Sequence, residues 1–231
     1  MDIVLVPGMW LNASTWDRVA PLLEAEGHRP HALTLPGMES KGADRSGITL
    51  DDHVAAVVAT IDAADGPVLL VGHSAGCGIA HLALDARPDR VTHVVHVGGF
   101  PPSDGETLLG GFEAIGGEVT MPDWAEKGED ANLIGFSDAQ LAAFYAAAIP
   151  EPQGVMEGVV RLHDDRRYGV PVTMVCPEYT AEDLRGWVKD GHVPELARPA
   201  DVAYVDVPTG HWPQLTRPAD LAKAILGAVP A

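Results

Sequence analysis

Val68-Leu69-Leu70-Val71-Gly72-His73-Ser74-Ala75-Gly76, residues 68–76, joins a short continuous apolar run to a Gly-x-Ser-x-Gly pentapeptide. The apolar run has the pattern of a strand buried on both faces. From Ala75 to Ala86 the spacing turns helical and stops before Pro88. The serine therefore stands where a strand hands over to a helix, the context in which this pentapeptide carries chemistry. A sharp turn at Ser74 strains its backbone, and the flanking glycines leave room for the turn and for neighbouring chain to come close. The hydroxyl is thereby presented above the sheet edge. It also stands at a helix N-terminus, where backbone N–H groups and the helix dipole favour developing negative charge. A serine in a Gly-rich turn can be a simple helix cap, but this placement favours a nucleophile.

Outward from this unit the same alternation recurs. Ile3–Val6 reads as a buried strand ended by Pro7-Gly8. The helix after it pairs Ser14 with Asp17 at its cap, repeats Trp16, Val19, Leu22 and Leu23 at helical spacing, and stops at Gly27. His31–Leu35 reads as a second strand, and Thr49 with Asp52 opens a helix with Val54, Val57, Val58 and Ile61 on its apolar face. Val91–Val97, Val172–Cys176 and Val202–Val207 read as strands, and a last amphipathic helix runs from about Pro218 to Leu226. The expected fold class is α/β. About six strands alternating with helices imply a mostly parallel sheet covered on both faces, because parallel neighbours need crossover helices. Between Gly98 and Tyr168 the alternation lapses into clustered Gly and Pro, with one helix capped by Ser137 and Gln140. The expectation is one domain over residues 1–231 with a lid or cap insertion at about 104–168. An irregular surface excursion with no gating role is the alternative.

With 231 residues, 46% hydrophobic and 21% charged, the chain suffices for a sizeable core. A net charge of -18 repels phosphate backbones and anionic lipid surfaces, so neither nucleic acid nor a membrane is an expected partner. A small neutral or apolar ester suits that field better than a multiply anionic substrate. Met1 leads directly into Ile3–Val6 with no basic n-region or cleavage site. No apolar stretch approaches the roughly 18 to 20 residues of a membrane span. A soluble, cytoplasmic protein is expected. Cys77 and Cys176 lie far apart in neither metal-ligand nor redox spacing, so no disulfide, metal or cofactor is expected. Nothing in the sequence specifies an oligomeric state.

A serine hydroxyl is a weak nucleophile near neutral pH and needs a base within hydrogen-bond reach, work for which histidine has the right pKa. Ten histidines compete. His211, in Pro208-Thr209-Gly210-His211-Trp212-Pro213, occupies a loop after a strand and before the last helix and is the preferred base. His73 adjoins the nucleophile, but adjacent residues at such a turn point apart, so it reads as packing or support. His93 and His96 read as internal or sheet-end residues. His28, His31, His53, His81, His163 and His192 have no motif context and are placed on surfaces.

The strand–Gly72-His73-Ser74-Ala75-Gly76–helix unit, set in this βα order, resembles the α/β-hydrolase family over nearly the whole chain. More narrowly it resembles the small serine esterase and hydroxynitrile-lyase-like branch, which lacks extra N-terminal strands. The resemblance implies that His211, in the loop near the C-terminus, is the catalytic histidine. It also implies a carboxylate a few residues beyond Val172–Cys176 to hold the imidazole in the right tautomer. The commonest position for that acid falls on Thr180. Glu178, in the same loop, is the preferred acid, and Asp104, after the preceding strand, is the alternative. Glu182 and Asp183 stay open, although acidic residues also suit the first turn of a helix. One oxyanion donor is the N–H of Ala75, and the family's second donor falls on Met9 in Pro7-Gly8-Met9.

Trp10 and Trp16 flank that loop, and Phe100, Trp124, Phe136, Phe144, Tyr145, Tyr179 and Trp212 lie in or near the irregular segment and the catalytic loops. Most aromatics are core residues, and Trp10 and Trp212 are the candidates for substrate contact. The expected activity is a serine hydrolase cleaving a small carboxylic ester or lactone through an acyl-enzyme intermediate. Hydroxynitrile-lyase-like chemistry on the same triad is an alternative. Those lyases resemble one another in a threonine in the oxyanion loop and a lysine after the catalytic histidine. Here the positions are Gly8 and Trp212, which favours ester hydrolysis. A ligand receptor with vestigial hydrolase activity is the remaining alternative.

Overall fold

In the computed structural model, which describes residues 1–230, the run after Met1 becomes β1 (Asp2–Val6), buried at every position. The single helix expected next is divided. Asn12, not Ser14, caps a 3-10 turn at Ala13–Trp16, its side-chain oxygen accepting from Ser14 N. The α-helix proper, α1 (Ala20–Ala25), has Pro21 in its first turn. Strand β2 (Arg29–Ala32) starts and stops earlier than expected. Its paired register runs from Asp2↔Arg29 to Leu5↔Ala32, and one further bond, from Leu33 N to the Leu5 carbonyl at 3.0 Å, follows it. Helix α2 (Leu50–Ala63) opens on the capping box of Thr49 and Asp52, then β3 (Val68–His73), α3 (Gly76–Ala86) and β4 (Val91–Val97) follow.

The segment after β4 holds a two-stranded antiparallel ribbon of β5 (Glu118–Val119) and β6 (Glu151–Pro152). Between these two lies α4 (Asp138–Ala147), capped by Ser137 and Gln140, and the short α5 (Gln153–Met156) comes after them. The alternation resumes with β7 (Val172–Cys176), α6 (Ala181–Lys189), β8 (Val202–Asp206), α7 (Pro213–Thr216) and α8 (Pro218–Gly227).

Six strands form one sheet in the order β2-β1-β3-β4-β7-β8, every neighbouring pair parallel. Two apolar clusters cover its faces. One joins Val4, Leu70, Val94 and Met174 to α2 and α3, and the other joins Leu5, Leu69, Val95 and Val175 to α1 and α8. Alternate residues of one strand thus feed opposite layers. A third cluster, rich in aromatic residues, lies where the β4–β7 segment meets the loops after β1 and β8. All loops bearing the sequence candidates leave the carboxyl ends of parallel strands, where open α/β sheets gather their sites. Among the described residues, no helix is long and apolar enough to cross a membrane.

Candidate active site

Ser74 follows β3 with φ 53, a left-handed conformation in a residue other than glycine. That geometry costs about 1–3 kcal/mol and persists only where surrounding structure over-determines it. The neighbours do so. A side chain at Gly72 would meet the Gly76 carbonyl oxygen at 2.5 Å and Cys77 Cα at 2.8 Å, and one at Gly76 or Gly99 would overlap the Pro7 or Ser74 carbonyl. Ser74 N donates to the Val97 carbonyl at 2.9 Å, tying the turn to the end of β4. Both glycines of the pentapeptide are thus demanded by backbone packing on two sides.

The Ser74 hydroxyl lies 2.8 Å from His211 Nε2, and His211 Nδ1 lies 2.6 Å from Glu178 Oε1. An ionised carboxylate only accepts, so Nδ1 carries the proton and donates to Glu178, leaving the Nε2 lone pair for the serine proton. The histidine and glutamate side chains retain 17% and 18% exposure, so solvent and small molecules reach them. Glu178 Oε2 is buried with no partner among the described residues. The His211 loop is gripped from two directions. His211 N donates to the Asn132 carbonyl at 2.8 Å and Gly210 N to the Ile134 carbonyl at 2.9 Å, while His73 Nε2 donates to the His211 carbonyl at 2.8 Å. His73 is wholly buried, and desolvation, with the charge of His211 second, lowers its pKa to about 3, so it stays neutral.

Of the other acids, Asp104 is exposed and accepts from Leu162 N at 3.0 Å, away from His211. Thr180, where the family's acid most often falls, is committed to capping α6. Its hydroxyl accepts from Asp183 N at 3.1 Å and donates to Asp183 Oδ2 at 2.6 Å. Glu182 and Asp183 lie in that helix's first turn. Across from the serine, the loop after β1 comes so close that a side chain at Gly8 would meet His73 Nδ1 at 2.6 Å and Ser74 Cβ at 3.0 Å. Neither Met9 N–H nor Ala75 N–H donates to another group among the described residues. Two free backbone donors thus stand in the loops flanking Ser74.

A cavity of about 390 Å³ opens at Ser74 and His211, walled by Phe100, Pro102, Leu108 and Leu109 on one side and by His192, Val193 and Pro194 on another. Neither Trp10 nor Trp212, the candidates for substrate contact, lines it, and Trp10 instead lines a separate cavity of about 450 Å³ with Phe136, Phe144 and Ile149. The two tryptophans are 4% and 2% exposed. Trp212 packs edge-on against the His211 ring at 5.0 Å and beside Phe144 at 4.6 Å, and Trp10 packs against Phe112 at 5.3 Å and Trp124 at 5.7 Å. Large rings gain most when buried together, which is why their sequence proximity to the site misled. Phe100 does face the cavity. His53 and His81, expected on surfaces, are buried. His192 was missed as a lining residue because no local pattern marks it. Among the described residues no cluster of three or more His, Cys, Asp or Glu side chains is arranged to hold a metal ion.

The model of the family described as "Alpha/beta hydrolase family" matches residues 3–224. The chain belongs to the α/β-hydrolase family. Within it, Methylesterase 8 of Arabidopsis thaliana is 34% identical over 127 residues, covering 52% of this chain and 46% of that protein. Pyrethroid hydrolase of Sphingobium wenxiniae is 31% identical over 97 residues, covering 42% of this chain and 35% of that protein. The chain thus spans about half or less of the length of these two relatives. The crystal structure of an extracellular α/β-hydrolase from a Paenibacillus species superposes with a TM-score of 0.79 at 24% identity, over 100% of both chains. The two partial relatives are similar to stretches of this chain, and the solved structure shares its fold.

Proposed function

We propose that this α/β-hydrolase is a serine hydrolase that cleaves a small carboxylic ester or lactone through an acyl-enzyme intermediate. The observation that carries the proposal is the unbroken chain from Ser74 Oγ to His211 Nε2, and from His211 Nδ1 to Glu178 Oε1, at 2.8 and 2.6 Å. In this reading His211 takes the hydroxyl proton as Ser74 Oγ bonds to the carbonyl carbon. The carbonyl oxygen becomes an oxyanion and is met by the N–H groups of Met9 and Ala75, where preorganised donors typically contribute about 3–4 kcal/mol each. His211 passes the proton to the departing alkoxide as the carbon–oxygen bond breaks. Water, deprotonated by the same imidazole, then attacks the acyl carbon and releases the acid while Ser74 recovers its proton. Glu178 holds the imidazole and stabilises its charged form.

The apolar wall of the cavity and the net charge of -18 support a neutral or apolar ester. The names of the partial matches, a methylesterase and a pyrethroid hydrolase, support ester chemistry in general. Against lyase chemistry, a threonine at position 8 would collide with His73 and Ser74, and Trp212 offers no cation where departing cyanide would need one. In this proposal residues 104–168 form the lid of a single domain. Cys77 and Cys176, buried and unpaired, support a cytoplasmic location. The test is turnover of a short-chain p-nitrophenyl ester by the parent and by Ser74→Ala. Multiple turnovers abolished by the substitution are expected. A single burst without turnover would indicate a receptor, and cyanide release from mandelonitrile a lyase.

A further inference from the structure

One buried acid takes no part in the scheme above. Glu151 opens β6, is 3% exposed, and accepts from Trp10 N through Oε2 at 3.1 Å. Trp10 has φ 63, which makes it, with Ser74, one of two left-handed residues other than glycine among the described residues, and it directly follows Met9. The ribbon of β5 and β6 holds two polar groups of this tryptophan, and Ile149, two residues before β6, holds the third. Trp10 N donates to Glu151, Trp10 Nε1 donates to the Val119 carbonyl at 3.0 Å, and the Trp10 carbonyl accepts from Ile149 N at 2.9 Å. Val119 and Glu151 are themselves paired across the ribbon. Glu151 also shares a small cavity of about 10 Å³ with Gly8, Met9, Ala75 and Gly76, room for at most one water. The acid therefore sits directly behind both loops that carry the oxyanion donors.

Packing alone does not account for a carboxyl group here. On the α2 side, His53 Nε2 donates to the Pro36 carbonyl at 2.9 Å, so His53 Nδ1, 3.9 Å from Glu151 Oε1, presents a lone pair and not a proton. Arg45 acts on Glu151 by charge, but its guanidinium is bonded to the Pro150 carbonyl at 2.7 Å and to Glu118 at 3.0 Å. Burial outweighs the Trp10 hydrogen bond and the Arg45 charge and pushes the carboxyl up to about 7. A buried ionisable group with one hydrogen bond is costly, and an apolar side chain would fill the space more cheaply. What the oxygen uniquely supplies is an acceptor for Trp10 N–H.

We propose that Glu151 is a positioning residue of the oxyanion hole: by accepting from Trp10 N–H it fixes the left-handed turn that aims Met9 N–H at the oxygen above Ser74. The proposal rests on the acyl-enzyme reading. It assigns the β5–β6 ribbon the task of shaping the loop after β1. It also makes the acceptor, and not the charge, the essential property.

The test compares Glu151→Met, which keeps length but loses the acceptor, with Glu151→Gln. The glutamine carbonyl can accept from Trp10 N–H while its amide faces the His53 Nδ1 lone pair. For Glu151→Met, kcat on the p-nitrophenyl ester falls about 10- to 100-fold, the scale set by a misaimed catalytic group, with KM within threefold of the parent. Affinity for a trifluoromethyl ketone, whose serine adduct carries an oxyanion, falls by the same factor. Glu151→Gln restores most of both losses. A kcat for Glu151→Met within threefold of the parent overturns the proposal, as does Glu151→Gln being equally impaired. A melting temperature for Glu151→Met more than about 10 °C below the parent also overturns it, because the residue is then a packing element. Parent turnover that survives Ser74→Ala would instead sink the acyl-enzyme reading, and this proposal with it.

Discussion

Around His211, one carboxylate meets one imidazole at 2.6 Å with both side chains still reached by solvent. Around Arg167, two buried carboxylates close on a guanidinium that is almost wholly buried, and the exposed Asp165 approaches it at 3.4 Å. Arg167 lies 3.0 Å from Asp85 and 3.4 Å from Glu195, with side-chain exposures of 4%, 6% and 8%. Asp85 also accepts from the backbone N–H groups of His163 and Asp164, and Glu195 from the Tyr168 hydroxyl at 2.8 Å. Burial works to raise the Glu195 carboxyl, yet hydrogen bonds from His81 and Tyr168 and the Arg167 charge bring it down to about 2. The two clusters use the same chemistry for opposite ends. The first keeps free N–H donors and an open cavity beside Ser74, and the second spends its hydrogen bonds on itself. Substitutions should therefore cost rate at the first and stability at the second.

The largest break in this contrast comes from His211→Ala. Its kcat should fall about 10⁴-fold or more, as in serine hydrolases that lose the base, while the urea midpoint stays close to the parent. Glu178→Gln should cost about 10²- to 10⁴-fold in kcat, because an amide can favour the wrong imidazole tautomer, again with little change in unfolding. A loss of only a few-fold would return the acid's role to another group. Arg167→Met reverses the pattern. It strands Asp85 and Glu195 as buried charges, so unfolding in urea should show about 3–5 kcal/mol of lost stability, with kcat per folded molecule within threefold.

Acid supplies a gentler probe of the closed side. His96 is buried, and desolvation, with the charge of His81 second, lowers its pKa to about 3. The unfolded chain binds this proton near pH 6.5 and the folded chain does not until about 3, so stability declines as pH falls through that window. His96→Phe, which has no proton to bind, should flatten the decline by about 2–3 kcal/mol between pH 7 and 4, read from urea midpoints across pH. An unchanged slope would mean that His96 does not carry the effect.

The same division explains what could be read in the chain before its structure. The turn at Ser74 is legible because its strand, its pentapeptide and its helix follow one another within one short stretch, although the backbone that demands glycine at 76 belongs to Pro7. The caps at Thr49 and Ser137 are legible for the same reason, since each pairs with a residue three positions on. The Arg167 cluster is silent in the sequence because its two buried carboxylates, Asp85 and Glu195, stand 82 and 28 residues away. Trp10 and Trp212 mislead because an aromatic ring near a catalytic loop satisfies a core and a pocket equally well. Glu151 has neither motif nor periodicity, and its role follows from a ribbon formed by residues far from the loop it holds.

The position of the acid is the intermediate case, and the smallest predicted effect addresses it. The loop after β7 carries Glu178, the carboxylate that meets His211, but Thr180, the place where the resemblance puts the acid most often, caps α6 instead. Thr180→Ala removes the acceptor for Asp183 N and should cost about 1 kcal/mol of stability. Glu178 precedes that cap, and its carboxylate is held by His211 itself, so kcat should remain within about threefold. If kcat falls with stability, the cap is what holds Glu178 in reach of the imidazole. The site would then depend on helix capping as directly as on the carboxylate, and the contrast between reactive and structural hydrogen bonds would fail at this loop.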